Sequence, residues 1–579
     1  MTNPMATPLK IDPHIASLAD QYAKEPEALL EILQDIQEEQ GLLSKEAISD
    51  VAHVLGIPAR SAYAVASFYS MLSISQQSPN VLRVCDGPVC WLHGAQQVRQ
   101  KADEELGENP DWTIERTSCL GLCDRAPAAL VNDKQAGPVL LDRIRDLANG
   151  WLGQPTDYSN PRPGEKRIML ANAGTIDPDS IDSAIAHNAY KGLEAALNNK
   201  PEELINIVES SGLTGRGGAG FLTGRKMRFV AQATSFPKYV ICNADESEPL
   251  IFKDRVLIDT DPHQILEGMA VAAFATGASQ GFIYIRGEYE GQACRLERAI
   301  EQAENQGYLG ENILESGFSL HIHVHRGAGA YICGEETALI ESLEGKRGEP
   351  RLRPPYPPSF GYHGLPTLVN NVETYSSMPA IIRNGSDWYR SQSDWRTPGT
   401  KLYMILGHIK NPGLFEAPFG ITLRRAIEEF GGGMLSGSTF NFALTGGAAG
   451  TLVPASLLDI PIDYGSSSQG VSLGAGAFLV CDQTVSPVAF LRELLFFFKM
   501  ESCGKCTPCR AGTYKAHEIL TALADQNGRV GNLEELRDLA DYMFGASFCG
   551  LGQSVATPIN SALNHFTSEF LAGETNTPC

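Results

Sequence analysis

The stretch Lys238-Tyr-Val-Ile-Cys242-Asn243-Ala-Asp245-Glu246-Ser-Glu248-Pro249 decides the fold of the central part of the chain. Its first five residues are a short run of strand length, mostly apolar, and three carboxylates follow within four residues. Open α/β sheets bind ligands at the carboxyl ends of their strands. The stretch therefore predicts a buried strand that ends at a binding site, with a solvated acidic loop as the alternative.

Helical and strand patterns alternate on both sides of this stretch, from about residue 167 to 395. Phe282–Ile285 is a second apolar strand, and Leu320–His325 alternates at period two. Such alternation predicts an α/β domain. Farther along, glycine-rich residues 400 to 485 predict a small α+β domain with the helix Leu423–Glu429 and the strands Lys401–Leu406, Thr439–Leu444 and Ala477–Val480.

The two ends of the chain differ from this central pattern. Residues 14 to about 74 predict helices, because their apolar residues recur at helical spacing. Beyond them, strands at Val81–Val84 and Trp112–Arg116 flank a helix over 94–106, and the polar, proline-bearing Gln154–Lys166 predicts a linker. The C-terminal part predicts a bundle of the helices Phe490–Met500, Ala511–Leu523, Asn532–Phe544 and Pro558–Phe570.

Composition excludes several classes of protein. The 579 residues carry a formal net charge of −22, which argues against a nucleic-acid partner. A hydrophobic content of 43% excludes a mainly disordered chain. Met1–Asp12 has no apolar run of a signal peptide, and the uncharged stretches Gly268–Ile285 and Tyr464–Cys481 are too broken for a membrane span. We therefore expect a cytoplasmic protein in a reducing compartment.

Two cysteine pairs follow the two N-terminal strands, Cys85-Asp-Gly-Pro-Val-Cys90 and Cys119-Leu-Gly-Leu-Cys123. Clustered cysteines in a reducing compartment are more often metal ligands or catalysts than disulfides. Zinc pairs usually have the spacing C-x2-C, whereas two irons bridged by sulfides suit a C-x4-C pair with a distant second pair. The pattern favours a [2Fe–2S] cluster over four unrelated buried cysteines or a redox dithiol.

A second constellation is Cys503-Gly-Lys-Cys506-Thr-Pro-Cys509 with the remote Cys549. Three cysteines at C-x2-C-x2-C and a distant fourth are typical of a [4Fe–4S] cluster, and a structural zinc site is the alternative. Lys505 and Arg510 are expected to offset part of the cluster's negative charge, with two solvated side chains as the alternative. The remaining cysteines are expected to be small core residues (Cys242, Cys294, Cys333 and Cys481) or, for Cys579, to have no assigned role.

The glycine loop Gly215-Arg216-Gly217-Gly218-Ala-Gly220 fits the pattern G-x-G-x-x-G. A helix over Pro201–Ser210, and not a strand, precedes it, so it matches a Rossmann fingerprint poorly. Its backbone N–H groups can still cradle a phosphate, with positive charge added by Arg216, Arg225 and Lys226. An ordinary flexible turn is the alternative.

Two further polar clusters complete the central domain. Tyr331-Ile-Cys-Gly334-Glu335-Glu336-Thr follows a strand and opens a helix, where acids are also favoured by the helix dipole alone. Asn370-Asn371-Val-Glu373-Thr is the other cluster. Each signal is ambiguous by itself.

Taken together, these stretches resemble the NADH-binding flavoprotein subunit of respiratory complex I and its relatives over about residues 160 to 575. The resemblance rests on Gly215–Lys226, Asn243–Pro249, Tyr331–Leu339, Asn370–Thr374 and the cysteines at 503, 506, 509 and 549. Residues 14 to 155 resemble the [2Fe–2S] thioredoxin-like subunit of the same enzymes. The fusion of both in one chain is similar to the large diaphorase subunit of the NAD-reducing [NiFe] hydrogenase.

This resemblance implies a multidomain α/β and α+β chain. The implied parts are an N-terminal helical bundle (1–76), a thioredoxin-like [2Fe–2S] domain (77–157), a Rossmann-like FMN/NADH-binding domain (158–397), a β-grasp-like domain (398–486) and a helical bundle with the [4Fe–4S] cluster (487–579).

The resemblance also implies FMN and NAD as cofactors beside the two clusters. Phe221 is implied to stack on adenine, Glu248 and Glu336 to contact NADH, and Phe229 to supply a second ring. Catalytic carboxylates that tune the flavin and ribose surroundings are implied at Glu246, Glu335 and Glu336. The implied cofactor-binding residues are Gly215, Arg216, Gly217, Gly218, Gly220, Phe221, Lys226, Asn243, Asp245, Glu246, Glu248, Tyr331, Gly334, Glu335, Glu336, Asn370 and Asn371.

The chain departs from the family pattern on the nucleotide side of the loop. The family usually reads Gly-Phe-Pro-Thr-Gly-Leu-Lys-Trp, and this chain has Leu222, Arg225 and Met227 there. It also has Leu250-Ile251 where Gly-Thr is usual.

The function implied is that of an NADH dehydrogenase (diaphorase) subunit. A flavin can accept a two-electron hydride and release single electrons to clusters, so it is expected between NADH and the iron–sulfur centres. The expected partners are an iron–sulfur electron-transfer subunit and hydrogenase subunits in a hetero-oligomer. The alternatives are a fused flavoprotein subunit of complex I or of an NAD-dependent formate dehydrogenase and, from another class, a non-catalytic electron-wire or zinc-stabilised assembly protein. Glu248 and Glu336 would repel a 2′-phosphate, which favours NADH.

Overall fold

The N-terminal part is a set of four helices that packs on the central domain. The computed structural model describes residues 11–575. The helices are Pro13–Gln21, Leu29–Gln40, Lys45–Val54 and Ala59–Ala66. Leu29–Gln40 buries Ile32, Leu33 and Ile36 on one face, and these side chains join one continuous apolar core with the central domain. The predicted helical character of this part is confirmed.

A four-stranded mixed sheet follows. Its order is Trp112–Thr117, Asn80–Cys85, Ala129–Val131 and Lys134–Ala136. The first two strands are parallel, and Asn80–Cys85 is antiparallel to Ala129–Val131. The helices here are Pro88–Leu92, Ala95–Leu106 and Ile144–Ala148. Both predicted strands and the helix between them are present, and the Gln154–Lys166 segment contains no helix or strand.

The central domain contains a four-stranded parallel sheet in the order His321–Arg326, Gln280–Ile285, Tyr239–Ala244 and Thr367–Asn371. In chain order the strands lie as 3-2-1-4, so the direction of winding reverses between the last two. Open α/β sheets bind their ligands at such a switch point. Three of the strands were predicted within two residues. Thr367–Asn371 was not predicted, because its end is the polar pair of asparagines.

Helices cover this sheet. They are Ile181–Ala186, Lys191–Leu197, Pro201–Ser211, Thr223–Gln232, Lys253–Thr260, Pro262–Thr276, Glu290–Asn305, Glu336–Leu343, Pro357–Phe360, Val372–Asn384 and Ser386–Arg390. Pro262–Thr276 is buried on almost every side, and Gly277 ends it with φ +78° before the strand Gln280–Ile285 begins. The uncharged stretch Gly268–Ile285 is therefore a helix, turn and strand, as predicted.

The small domain is a five-stranded mixed sheet. Its order is Gly413–Pro418, Thr400–Gly407, Ala477–Asp482, Phe440–Thr445 and Thr451–Pro454. The predicted helix is present as Leu423–Arg425 continued by a π-helical turn, Ala426–Phe430. The strands Gly413–Pro418 and Thr451–Pro454 were not predicted. Phe415, from the first of them, stacks on Phe430 with ring centroids 4.0 Å apart.

The C-terminal part is a helical bundle, as predicted. Its helices are Pro487–Glu501, Thr507–Ala524, Asn532–Ala546, Gly550–Ser554, Ala556–His565 and Thr567–Ala572, and Gly528–Arg529 pairs with Glu574–Thr575. The single helix predicted over Pro558–Phe570 is wrong. Phe566 leaves the helical region (φ −126°, ψ 26°) and packs against Phe442, 5.7 Å away between ring centroids, which separates two helices.

No helix among residues 11–575 is long and apolar enough to cross a membrane. Cys242, Cys333 and Cys481 are buried as predicted, whereas Cys294 is only half-buried. Cys579 and most of the Met1–Asp12 segment lie outside the described residues.

Candidate functional site

A cavity of about 880 Å³ opens at the switch point of the parallel sheet. Asn243 ends one strand, and Asn370 and Asn371 end its neighbour beyond the point of reversal. The glycine loop and the turn Gly334–Glu336 close the other walls. The structure thus brings together stretches that are more than 150 residues apart in sequence, and this cavity is the candidate cofactor site. We call it the cleft.

The glycine loop lines the cleft with Gly215, Gly217 and Gly220. The Gly215 N–H donates to the carbonyl of Phe221 at 2.8 Å and closes the loop. A Cβ on Gly217 would lie 3.3 Å from the Asn371 Cβ, and one on Gly220, at φ +68°, would lie 2.5 Å from the ring of Tyr464. Helix Thr223–Gln232 begins directly after the loop, so the positive end of its dipole can stabilise an anion bound there.

Of the three predicted phosphate cations, only Lys226 lines the cleft. Its Nζ donates to the carbonyl of Val369 at 2.8 Å and lies 3.2 Å from a carboxylate oxygen of Glu336.

Arg216 and Arg225, the other two predicted phosphate cations, do not line the cleft. Arg216 is fully buried, donates to the hydroxyl of Tyr389 at 2.8 Å and stacks on Phe419, because its side chain holds the loop onto the body of the protein. Arg225 is exposed on the helix Thr223–Gln232 and is not among the residues of the cleft wall.

Glu335 and Glu336, both predicted site residues, line the cleft. The Glu335 carboxylate accepts from the N–H groups of Thr337 and Ala338 and so caps the helix Glu336–Leu343. Its other oxygen lies 3.4 Å from Arg353, and Glu336 lies 3.3 Å from the same guanidinium. Lys226, Glu336 and Arg353 thus form a charged rim, in which the acidic side chains are held in place by cations.

Glu246, also predicted as a cofactor-site carboxylate, is not part of the cleft wall. Its side chain accepts from the N–H groups of Asp254 and Arg255 at 2.8 and 3.0 Å and from the hydroxyl of Tyr289 at 3.2 Å. Burial raises the pKa of this carboxyl to about 8. From behind the cleft, Glu246 caps the first turn of the helix Lys253–Thr260, and these hydrogen bonds fix the conformation of the acidic loop.

Four more predicted residues lie beside the cleft and not in its wall: Gly218, Asp245, Glu248 and Tyr331. Burial raises the pKa of Asp245 to about 7, and its Oδ1 accepts from the hydroxyl of Ser247 at 2.7 Å. The Tyr331 hydroxyl donates to Glu248, whose other oxygen accepts from the Ala449 N–H at 3.1 Å. Glu248 therefore joins the central domain to the small domain.

The remaining predicted residues, Phe221, Asn243, Gly334, Asn370 and Asn371, line the cleft, as does Phe229. Both rings are about half exposed, at 47% for Phe221 and 49% for Phe229, and so can accept a flat partner. Sequence reasoning missed the wall residues Thr223, Arg353, Tyr356, Pro358, Ser359 and Thr374. The sequence feature that could have revealed some of them is an arginine and a tyrosine within the proline-rich stretch Arg353-Pro-Pro-Tyr356-Pro-Pro.

The cleft fits a bound flavin nucleotide. The Thr223 hydroxyl oxygen and the Asn370 amide nitrogen are buried at its wall without a hydrogen-bond partner among the described residues. Behind the wall, Asn371 is held on both sides of its amide. Its Oδ1 accepts from Lys253 at 2.8 Å, and its Nδ2 donates to Asp254 at 2.6 Å. Buried polar atoms normally have a hydrogen-bond partner, so the unpaired atoms of Thr223 and Asn370 fit a polar ligand held in the cleft.

The first four cysteines are buried and converge as predicted. The Sγ atoms of Cys119 and Cys123 are 3.6 Å apart. Gly87 lies between the two pairs, because a Cβ built on it would be 3.5 Å from both the Cys119 Cα and the Cys85 Sγ. Among residues 11–575, no three His, Cys, Asp or Glu side chains are placed to hold a single metal ion. Four buried thiols in two pairs fit a [2Fe–2S] cluster, in which each iron takes its own ligands.

The loop Cys119–Cys123 is clamped onto the central domain. Arg286 Nη2 donates to the Cys119 carbonyl, and Arg286 Nη1 donates to the Glu246 carbonyl, both at 2.5 Å. The Arg255 guanidinium lies 2.6 Å from Asp124, with both side chains almost fully buried. The acidic loop behind the cleft and the [2Fe–2S] loop therefore share one set of buried hydrogen bonds.

The other four cysteines, 503, 506, 509 and 549, line a common small cavity with Ile332 and Pro350 of the central domain. Cys506 Sγ accepts from the Phe548 N–H at 3.5 Å, a contact that suits a cluster thiolate. The two predicted cations lie at this site. Lys505 donates to the Pro350 carbonyl at 2.6 Å, and Arg510 donates to the Gly504 carbonyl. This donor set fits a [4Fe–4S] cluster.

Comparison with known families agrees with this arrangement. The "Nuo51 FMN-binding domain" matches residues 208–380, and the "Thioredoxin-like [2Fe-2S] ferredoxin" matches 15–151. The "NADH-ubiquinone oxidoreductase-F iron-sulfur binding region" matches 489–573, and the SLBB domain matches 402–451. The small domain, predicted as β-grasp-like, therefore matches SLBB.

Individual relatives cover much of the chain. An F subunit of the NADH-quinone oxidoreductase of Rhizobium meliloti (strain 1021) is 45% identical over 407 residues, 70% of this chain and 97% of the relative. The NADP-reducing hydrogenase subunit HndC of Solidesulfovibrio fructosivorans is 44% identical over 71% of this chain and 84% of its own length. A solved chain of an NAD+-reducing [NiFe]-hydrogenase in the H2-reduced state has a TM-score of 0.84 at 31% identity, covering 96% of this chain and 94% of that chain.

The fold, the cleft and the two cysteine sites define an NAD-linked flavoprotein oxidoreductase that contains FMN, NAD, [2Fe–2S] and [4Fe–4S] sites. The chain belongs to the family of the NADH-quinone oxidoreductase F subunits, with a thioredoxin-like [2Fe–2S] region in the same chain. The alternative of a non-catalytic or zinc-stabilised protein is not supported.

Proposed function

We propose that this chain is the NADH-oxidising, or NAD+-reducing, subunit of an NAD-linked hydrogenase. The supporting observation is the similarity to one hydrogenase chain over 96% of this chain, which includes both cluster regions and the cleft. The F subunits and the hydrogenase subunit HndC, in contrast, match 68–71% of this chain. The fused arrangement is therefore the feature that favours a hydrogenase.

In this proposal the cleft binds FMN and the nicotinamide nucleotide together. The glycine loop and the N-terminus of Thr223–Gln232 hold the phosphate, and the asparagines at the strand ends bind the ring system. Phe221 and Phe229 provide flat faces for the adenine. FMN supplies the exchange between a two-electron hydride and single electrons. The protein's part is to orient both nucleotides and to keep the clusters near the cleft.

Nucleotide preference follows from the rim of the cleft. Glu336 lines the cleft and disfavours a 2′-phosphate, whereas Glu248 is engaged by Tyr331 and Ala449 and does not face the cleft. The case for NADH therefore rests on Glu336 alone, and Arg353 lies 3.3 Å from it. The proposed partners are an iron–sulfur electron-transfer subunit and hydrogenase subunits, and the cytoplasmic location stays a prediction.

A second candidate is a fused flavoprotein subunit of complex I, which the 45% identity to the Rhizobium meliloti relative favours. The two candidates share the chemistry of this chain and differ in the electron partner. A flavoprotein subunit of an NAD-dependent formate dehydrogenase would likewise share the chemistry of this chain and differ in the electron partner.

The test uses the full chain purified anaerobically together with its co-purifying subunits. We expect flavin absorbance that NADH bleaches and, with the partners present, H2-dependent reduction of NAD+. Flavin bleaching without any H2-dependent activity, but with quinone reduction, would favour the complex I candidate and reject the hydrogenase. Absence of flavin would reject both.

A matched pair of variants tests the cleft. Lys226→Met removes the cleft cation that lies 3.2 Å from Glu336, so we expect less bound FMN and weaker bleaching. Lys191→Met removes an exposed lysine that pairs with Glu194, and it should retain normal flavin content. Equal flavin content in both variants would contradict the assignment of the cleft.

A further inference from the structure

Arg347 connects the central domain to the [4Fe–4S] loop. It follows the helix Glu336–Leu343, and its Nη2 donates a hydrogen bond to the carbonyl oxygen of Cys503, a cluster ligand. A Cβ on the next residue, Gly504, would lie 3.7 Å from the same nitrogen. A guanidinium is permanently charged, so this hydrogen bond brings a fixed positive charge to the ligand loop from outside the bundle.

The N-terminal helical segment holds that guanidinium in place. The ring of Phe68 lies 4.5 Å from the guanidinium carbon, and the Tyr69 hydroxyl donates to the carbonyl of Lys346 at 3.2 Å. Tyr69 also shares a hydrogen bond with Ser342 at 2.6 Å. Neighbouring Gly348 has no room for a side chain, because its Cβ would lie 2.5 Å from Cys333 Sγ and 3.5 Å from Phe68.

We propose that Arg347 is a positioning residue that raises the reduction potential of the [4Fe–4S] cluster, and that Phe68 of the N-terminal segment keeps it there. Reduction adds a negative charge to the cluster, and cluster potentials depend on net charge and hydrogen bonding around the ligands. A cation held on the Cys503 carbonyl therefore favours the reduced form. The N-terminal segment thereby acts on a cluster that it does not ligate.

Arg347 is better placed for this role than the other cations near the loop. Arg510 donates to the Gly504 carbonyl but is exposed, so water and salt screen its charge. Lys505 is directed to the Pro350 carbonyl and lies 3.7 Å from Glu349. Arg347 also lies 3.2 Å from Glu349, but it differs from both in donating directly to the carbonyl of a ligand cysteine, Cys503.

The test is an EPR-monitored redox titration of the full chain with its clusters. Arg347→Gln removes the charge. We expect the equilibrium constant for reduction of the [4Fe–4S] cluster to fall about tenfold, which lowers its reduction potential by about 59 mV for one electron. Arg347→Lys and Phe68→Leu should shift the potential in the same direction by less. Lys515→Gln, which removes a charge of the same bundle that pairs with Glu518 and Glu535, should leave it unchanged.

The [2Fe–2S] potential of each sample is the internal control and should stay constant. An unchanged [4Fe–4S] potential in Arg347→Gln with normal cluster content overturns the proposal. If that variant does not retain the cluster, unchanged potentials in both Arg347→Lys and Phe68→Leu overturn it. The proposal rests on the cluster alone and not on the hydrogenase partner, since NADH bleaching and H2-dependent activity test that partner separately.

Discussion

At the scale of single residues, glycines decide how closely the backbone approaches the cleft. Gly220 has φ +68°, and its Cβ would lie 2.5 Å from the ring of Tyr464, whose hydroxyl donates to the Gly215 carbonyl at 2.9 Å. A side chain there is penalised twice, by the left-handed backbone and by the collision. Gly277 has φ +78° with nothing within 4 Å of its Cβ, so it carries the first penalty only.

We expect Gly220→Ala to weaken FMN binding by about tenfold or more, since about 1–2 kcal/mol of backbone strain adds to the collision with Tyr464. The measurement is the dissociation constant of FMN by fluorescence titration of the flavin-free chain. Gly277→Ala should lose some stability and bind FMN normally. Equal affinities in the two variants would mean that the collision does not shape the loop.

Glu416 is a buried residue whose carboxylate joins the small domain to the segment that follows the linker. One oxygen accepts from the N–H groups of Ile168, Met169 and Leu170 at 2.9–3.1 Å, and the other accepts from the Thr400 hydroxyl. Burial raises the pKa of this carboxyl from 4.5 to about 7. Between pH 4.5 and about 7, the folded protein therefore keeps this carboxyl protonated, whereas the unfolded chain has already released the proton.

Stability from this proton is complete below pH 4.5 and is lost as the pH rises through about 7. We expect wild type to lose up to about 3 kcal/mol relative to Glu416→Gln between pH 5 and pH 8, measured as the difference in urea unfolding midpoints. Glu428→Gln, an exposed glutamate of the same domain, should give a profile parallel to wild type. A difference in unfolding free energy between wild type and Glu416→Gln that does not change from pH 5 to pH 8 would refute the pKa shift.

At the scale of elements, the loop Cys119–Cys123 is the piece that docks the [2Fe–2S] cluster on the central domain. Gly121 has φ +69°, and its Cβ would lie 2.0 Å from the Tyr289 hydroxyl oxygen. Tyr289 also donates to the Gly121 carbonyl at 3.3 Å. The loop therefore fits only if this position has no side chain.

We expect Gly121→Ala to displace the loop and to reduce the [2Fe–2S] EPR signal several-fold while sparing the [4Fe–4S] signal. Gly150→Ala is the matched control, because Gly150 lies in the same region with φ +86° and open space around its Cβ. Loss of both cluster signals in Gly121→Ala, or of neither, would contradict the separate docking of the two clusters.

At the scale of the whole molecule, buried contacts and not only the linker join the two halves of the chain. The N-terminal helices share one apolar core with the central domain. The buried Arg255–Asp124 pair crosses between the [2Fe–2S] region and that domain at 2.6 Å. Residues 154–157 of the linker are exposed and can take a protease site.

We expect the two halves to stay together after cleavage within 154–157 and to co-elute in size-exclusion chromatography. Arg255→Ala leaves Asp124 buried without its partner, a change that costs about 3–5 kcal/mol, and should let the cleaved halves separate. Arg298→Ala removes a largely exposed pair with Asp179 and should not. Separation of the cleaved halves without any substitution would refute the role of these contacts.

How far the sequence predicts the structure differs from site to site. The cysteine sets and the glycine loop are predictable, because ligand spacing and the absence of side chains are local properties. Arg216 and Glu246 lie within the right motifs but their side chains are used elsewhere, since burial and partners such as Tyr389 and Tyr289 are contributed from distant sequence. Arg353 and Tyr356 were missed because a proline-rich loop has no periodicity.

The sequence by itself determined the class of each region, the two sets of candidate cluster cysteines and the glycine loop, because composition, periodicity and spacing are contained in short stretches. Only the tertiary structure decided the order of the parallel strands, the cleft at their point of reversal and the sharing of Arg286 between the acidic loop and the [2Fe–2S] loop. The hydrogen bond from Arg286 to the Cys119 carbonyl alone joins residues 167 positions apart. Their hydrogen bonds and ion pairs form only when the packed core brings distant segments within reach of one another.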